Sequence, residues 1–321
     1  MCSALLLVVM LRLLFVLGLA NQPDVTAIFR VAGSSRGSEL LPRGLWEPFP
    51  GFDQIQGFRT FGFFRMSLTS VVKNFKGETI FIPGNHDWYS GVKGLKEQEK
   101  FVEKALGKKT FLPENGCPIE RVHVTDDIDL IIVDSHWYIT NWDKHPTIND
   151  DCDIKTRARF FDEFNSLIKK ARGRTTLVAI HHPMYTNGSH GGQFTFKDHM
   201  LPVPVLGTIK NVVRKTSGVA NVDLQNASYN ELKKRLITMA QANKKVVFVS
   251  GHEHSLQYLV EDNLHQIVSG SGSKVSAARN VGGGVFAYGT HGYAKFNVYK
   301  DGSSHVQFYS VDDDKVVFQT E

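Results

Sequence analysis

The sequence predicts an α/β fold on three observations. Four short apolar runs each stop at a cluster of glycine, histidine or aspartate; three stretches with helical spacing lie among them; and the C-terminal part alternates with a period of two. Residues 79–82 form the first run and halt at Pro83-Gly84, and residues 129–133 form the second, halting at Asp134-Ser135-His136. Residues 175–180 run into His181-His182-Pro183, and residues 245–250 run into Gly251-His252-Glu253-His254. Helical spacing covers residues 95–106, 156–170 and 228–242, the last opening on Ser228 with Glu231 three residues on, a capping-box pattern. This order places four polar strand ends along one edge, where open α/β sheets bind ligands. After Gln266 the chain is glycine-rich and then alternates through residues 294–299 and 306–309, which predicts closing hairpins turned by Asp301-Gly302.

The first seventy residues behave differently. Residues 4–20 are almost unbroken apolar sequence interrupted only by Arg12, which reads as a signal peptide or a membrane anchor. Residues 21–73 scatter glycine, proline and phenylalanine without a clean period and form an atypical N-terminal segment. Secretion or membrane anchoring is therefore the expected localisation, with membrane contact only through the N-terminal apolar segment. Three cysteines are too few for a disulfide framework, although Cys117 and Cys152 could pair if the chain is exported. Asn187-Gly-Ser and Asn226-Ala-Ser are acceptor sequons that matter only on a eukaryotic secretory route. Lysine plus arginine number 37 against 32 acidic residues, a net charge of +5 with no basic stripe, so a nucleic-acid partner is disfavoured.

Three clusters carry chemistry. Gly84-Asn85-His86-Asp87 follows a buried-type strand, where glycine permits a sharp turn and the next side chains enter a cleft. His181 and His182 precede Pro183, which ends the ladder, and a neutral imidazole on a rigid strand end is a good ligand for a borderline divalent metal. In Gly251-His252-Glu253-His254, alternation of an extended chain would turn His252 and His254 to one side and Glu253 away.

Taken together in this order, the clusters resemble the calcineurin-like metallophosphoesterases, and residues 251–259 (Gly-His-Glu-His-Ser-Leu-Gln-Tyr-Leu) are similar to the purple, tartrate-resistant acid phosphatase branch. The resemblance spans residues 74–309 and implies a phosphoesterase domain over residues 74–321, built as a two-sheet β-sandwich flanked by helices. It implies a hydrolase for phosphoric esters, acting on a small phosphate ester or a phosphorylated protein through a metal-activated hydroxide. Two divalent ions, iron, zinc or manganese, are usual in the family. Carried over residue by residue, Asn85, His181 and His252 would bind one metal and His254 the other. His86 would stabilise the phosphoryl group or protonate the leaving alcohol, and Tyr185, Asn187 and His190 on the loop after His181 would contact substrate.

The family's two earlier motifs, an Asp-x-His after the first strand and a Gly-Asp after the second, are missing before Gly84. Asp24 and Asp53 have tolerable spacing but lack preceding strands. The remaining ligands are all neutral, so the expectation is one ion held by Asn85, His181 and His252, with reduced or lost activity as the alternative reading. Loss of both motifs also predicts a sheet short of two strands, with exposed edges.

Overall fold

The computed structural model describes residues 78–272 and 274–320, together with three N-terminal strands. Two seven-stranded sheets face each other. In chain order the strands are β1 (Leu6–Met10), β2 (Leu13–Gly18), β3 (Val25–Gly33), β4 (Glu78–Ile80), β5 (Ile119–Thr125), β6 (Ile128–Val133), β7 (Thr175–Ile180) and β8 (Val246–Ser250). They continue with β9 (Leu256–Glu261), β10 (Leu264–Ser269), β11 (Gly284–Tyr288), β12 (Gly292–Tyr299), β13 (Ser304–Ser310) and β14 (Lys315–Thr320). The first sheet runs β1-β4-β2-β3-β12-β13-β14 and the second β11-β9-β10-β8-β7-β6-β5.

Strands β6, β7, β8 and β10 are mutually parallel, and every residue of β6, β7 and β8 is buried. Alternation sorts their side chains between two cores. Leu130, Ile132, Leu177, Ala179, Val247 and Val249 meet Phe296, Val298, Val306 and Phe308 of the first sheet in the core between the sheets. Ile131, Val133, Val178, Ile180 and Phe248 point the other way, into a core shared with the helices. The helices are α1 (Gly91–Leu106), α2 (Ser135–Ile139), α3 (Arg157–Lys170), α4 (Phe196–Met200), α5 (Pro204–Ser217) and α6 (Ala227–Ala240). Among them α1, α3 and α6 bury one apolar stripe each, with Val102, Phe160, Phe164, Leu232 and Leu236 fully covered. No helix among the described residues is long and apolar enough to cross a membrane.

The described parts of the apolar run at residues 4–20 are strands β1 and β2. Three expectations are corrected. Within the segment that lacked a clean period, Val25–Gly33 is a nine-residue strand pairing with β2 and β12. The first sheet is therefore not short of strands. The cap of α6 is Asn226, whose Oδ1 accepts from the amides of Ser228 (3.1 Å) and Tyr229 (3.3 Å). That places Glu231 too deep in the helix to close a box with Ser228. Asp24, Asp53 and residues 34–77 lie outside the described residues.

Cys117 and Cys152 do pair. The bond closes a 35-residue separation and ties β5 to the segment that leads into α3. Loop-closure entropy puts its contribution at roughly 3–4 kcal/mol. Thermal unfolding with and without a reductant should show the reduced chain melting well below the oxidised one, and a Cys117→Ser/Cys152→Ser chain should melt with the reduced form.

Asp129, at the start of β6, is fully covered and accepts from Arg121 Nη2 (2.7 Å), Arg174 Nη1 (3.1 Å) and the His123 ring (3.3 Å). Burial alone would raise its carboxyl, but the hydrogen bonds from Arg121, Arg174 and His123 outweigh it and hold the group below the usual range. A depressed carboxyl contributes stability that is present above its unfolded value near 4 and is lost as pH falls through the folded value. Asp129→Asn should cost roughly 1.5–3 kcal/mol at neutral pH in denaturant melts, with the difference from wild type shrinking below about pH 4.

Candidate metal centre

Three strand ends meet at one point. After β4 the chain turns at Pro83-Gly84, a turn closed by the Gly84 amide donating to Asp87 Oδ2 at 2.8 Å. A β-carbon on Gly84 would lie 2.8 Å from the His181 ring, so only glycine lets this turn reach the end of β7. The turn presents Asn85, whose Oδ1 sits 2.9 Å from His181 Nε2. From the end of β8, His252 Nδ1 approaches the same His181 Nε2 at 3.2 Å. His252 Nε2 donates to the Val222 carbonyl at 2.7 Å, which fixes the tautomer and leaves the Nδ1 lone pair facing His181. Asn85, His181 and His252, expected from the sequence to share one ion, are thus within hydrogen-bonding distance of one another along that chain of contacts.

His182 joins them. One ring nitrogen from each of His181, His182 and His252 lies within 4.8 Å of the others. His182 Nδ1 is 2.7 Å from Ser135 Oγ, while its Nε2 is buried without a hydrogen-bond partner. Ser135 is placed by the start of α2, where Asp134 caps the helix by accepting from the amides of His136 (3.0 Å) and Trp137 (3.2 Å) and also accepts from Trp88 Nε1 (2.8 Å). Burial, and then the neighbouring imidazoles, hold both His182 and His252 well below the ordinary histidine range, so both rings are neutral near pH 7.

His254 is not one of the three rings of this group. The reason is local: His252 has φ +65°, so the extended alternation that would align His252 with His254 stops at Ser250. Glu253, expected to point away, is instead buried and organises the loop after His182, accepting from Thr186 Oγ1 (3.1 Å) and the His190 amide (2.8 Å). His190 packs its ring 4.1 Å from that of His252. Its Nδ1 is 2.8 Å from Asp223 Oδ1, and Asp223 is in turn gripped by Arg214 through Nε (2.9 Å) and Nη2 (2.6 Å). Burial of Asp223 opposes ionisation, but His190 and Arg214 together hold its carboxyl below the usual range. His86 stands half-buried beside Asn85, hydrogen-bonded through Nδ1 to the Tyr89 hydroxyl.

Tyr185 and Asn187, expected on a substrate loop, engage protein groups. The Tyr185 hydroxyl donates to Asp262 Oδ2 (2.9 Å). The Asn187 amide Nδ2 donates to the Val281 carbonyl (2.8 Å), and its backbone amide donates to Gln257 Oε1 (2.8 Å). Asn226 Nδ2 donates to the Gly218 carbonyl (2.9 Å), so both sequon amides are engaged. The sequence marks neither His182 as a ligand nor Asp223 and Arg214 at all; its signals are the doubled histidine before Pro183 and, for Ser135, the polar cluster that ends the run at 129–133.

The donor set suits a single borderline divalent ion. Imidazole nitrogens and an amide oxygen are acceptable zinc-like ligands, and an ion would satisfy the buried His182 Nε2, which is otherwise costly to leave unpaired.

Residues 62–256, more than half of the chain, match the family model described as calcineurin-like phosphoesterase. A comparison with curated protein sequences finds no match. Among solved structures, the fold is similar to GAP50, "the anchor in the inner membrane complex of Plasmodium", at 13% identity and TM-score 0.50, covering 78% of this chain and 67% of that one. A purple acid phosphatase, PPD1 from yellow lupin (Lupinus luteus) seeds, aligns at 10% identity and TM-score 0.48, covering 76% of this chain and 40% of the lupin chain. The two facing sheets, the order of the Asn-His, His-His and His-x-His clusters and the matched residues together make the chain a member of the calcineurin-like phosphoesterase family.

Proposed function

We propose that the chain is a metal-dependent phosphoric ester hydrolase, a phosphomonoesterase or phosphodiesterase, with one divalent ion held by Asn85, His181, His182 and His252. The observation that carries this reading is the convergence of the His181, His182 and His252 rings with the Asn85 amide at adjoining strand ends. A zinc, iron or manganese ion would supply Lewis acidity there, activating water and polarising a phosphoryl oxygen. The chain's own groups do the rest. His86, on the turn beside Asn85, would donate a proton to the leaving alcohol. His190 keeps its Nδ1 toward Asp223, so Nε2 is the nitrogen through which the protonated ring would donate to a phosphoryl oxygen, and Arg214 holds Asp223 in place for that orientation. Tyr185 and Asn187 support this step by holding the loop that carries His190.

One observation favours a second reading, a non-catalytic remnant that binds at most one ion. Among the described residues no carboxylate belongs to the three-ring group, so the charge of a dication is offset by neutral donors alone. The Plasmodium neighbour of similar fold is titled an anchor. The disulfide supports an oxidising compartment for either reading, in keeping with a secreted or membrane-anchored protein.

Metal content and turnover decide between them. The enzyme reading expects about one tightly held ion per chain and hydrolysis of an aryl phosphate with added zinc, manganese or iron, both lost in His252→Ala. Turnover no higher than in that variant, despite a bound ion, would establish the remnant.

Gly84→Ala offers an independent check on the geometry. Its β-carbon would collide with the His181 ring and push it off the Asn85 and His252 contacts. Metal affinity should fall by about tenfold or more, the loss expected when a ligand's position is disturbed, while the melting temperature moves by only a few degrees.

A further inference from the structure

Helix α5 is packed with its apolar face outward. At about 100° per residue, Val205, Leu206, Ile209, Val212 and Val213 fall on one side of it, and each is between 48% and 69% exposed. The opposite side turns inward with Gly207 and Asn211, where a β-carbon on Gly207 would meet the His199 carbonyl at 2.4 Å. Asn211 is 1% exposed, and neither its amide nitrogen nor its oxygen has a hydrogen-bond partner. Helix α4, packed against α5, adds Phe196 at 75% exposure, and the connection between them adds Leu201 and Val203. An ordinary surface helix reverses this arrangement. A contiguous exposed patch of this kind marks an interaction site.

The charges around the patch select its occupant. From residue 199 to residue 222 the sequence contains no aspartate or glutamate, while Lys210 and Lys215 are exposed on the two flanks of the apolar face and Lys197 is exposed on α4. Arg214 is withdrawn to Asp223. An apolar stripe edged by lysines is the pattern of a helix lying in the plane of a bilayer interface, with its stem-buried lysines reaching anionic headgroups. A second copy of the chain meets the patch less well, because two-fold pairing would lay one lysine-edged face on another with no acidic residue between 199 and 222 to meet those lysines.

We propose that α4 and α5 form a membrane-surface docking element: the apolar face of α5 and the side chains of Phe196, Leu201 and Val203 insert into the headgroup boundary of an anionic bilayer, and Lys197, Lys210 and Lys215 contact its phosphates. This contact is separate from the N-terminal apolar segment and from the metal centre.

Hydrogen exchange of the full chain, with phosphatidylcholine vesicles that contain or lack phosphatidylserine, locates the contact. Exchange across residues 201–217 should slow with the anionic vesicles and not with the neutral ones, and the protection should fade in high salt. A Leu206→Gln/Ile209→Gln/Val213→Gln chain should melt like wild type, since these side chains are exposed, lose that protection and sediment with anionic vesicles about tenfold less. Three results overturn the proposal. One is unchanged exchange at 201–217 while the vesicles bind only through the N-terminal segment. Another is equal protection by neutral vesicles. The third is protection at 201–217 that appears without lipid together with a dimeric mass, which would make a second copy the occupant.

Discussion

The arrangement rests on one constraint: β6, β7 and β8 are buried on both faces, so their polar groups can emerge only at the strand ends. Apart from Asp129, Thr175, Thr176 and Ser250, these strands carry only apolar side chains until they leave the ladder, and the first residues past β7 and β8 are His181-His182 and Gly251-His252. Because β7 and β8 are parallel neighbours, those ends lie side by side. The Gly84 turn then brings Asn85 against the same point from the other sheet, and the missing side chain at position 84 is what permits the approach. The convergence is therefore a packing consequence, with the glycine setting its tightness.

Electrostatics adds a second layer. Three imidazoles in contact cannot all be protonated in a buried site, and the burial and mutual repulsion that hold His182 and His252 neutral also leave them able to bind a cation. The carboxylates nearby are assigned elsewhere: Glu253 to the His190 loop, Asp223 to His190 and Arg214, Asp134 to the cap of α2. This division distinguishes the centre from one in which carboxylates ligate directly, and it explains why a single ion suits the described ligands better than two.

Much of the fold was legible because its strands end abruptly. The runs at 79–82, 129–133, 175–180 and 245–250 all correspond to strand segments or their immediate continuations, and Asp301-Gly302 turns the β12–β13 hairpin as its residue types require. The meeting of Asn85, His181 and His252 at strand ends was legible for the same reason. What escaped was whatever depends on distant contacts. Arg214 and Asp223 are unremarkable until folding brings them to His190, which Asp223 follows by 33 residues. Alternation sets His254 on the same side as His252, and the left-handed backbone at His252 interrupts that alternation.

The segment from Phe196 to Asp223 joins two features that sequence periodicity treats as unrelated. Its inner side supplies the Val222 carbonyl that sets the His252 tautomer and the Asp223 carboxylate that orients His190. Its outer side is the exposed apolar face of α5. Arg214 belongs to both, since it sits on α5 and grips Asp223 with two nitrogens. A bidentate guanidinium–carboxylate pair transmits displacement more faithfully than apolar packing, because its geometry is directional. Whatever fixes the attitude of α5 at a surface therefore also fixes Asp223, and through it the ring of His190 that lies 4.1 Å from His252. The inward-facing Gly207 and Asn211 fit this role better than a larger apolar residue would, because they let α5 lie close to its support while leaving its apolar side chains for the outside.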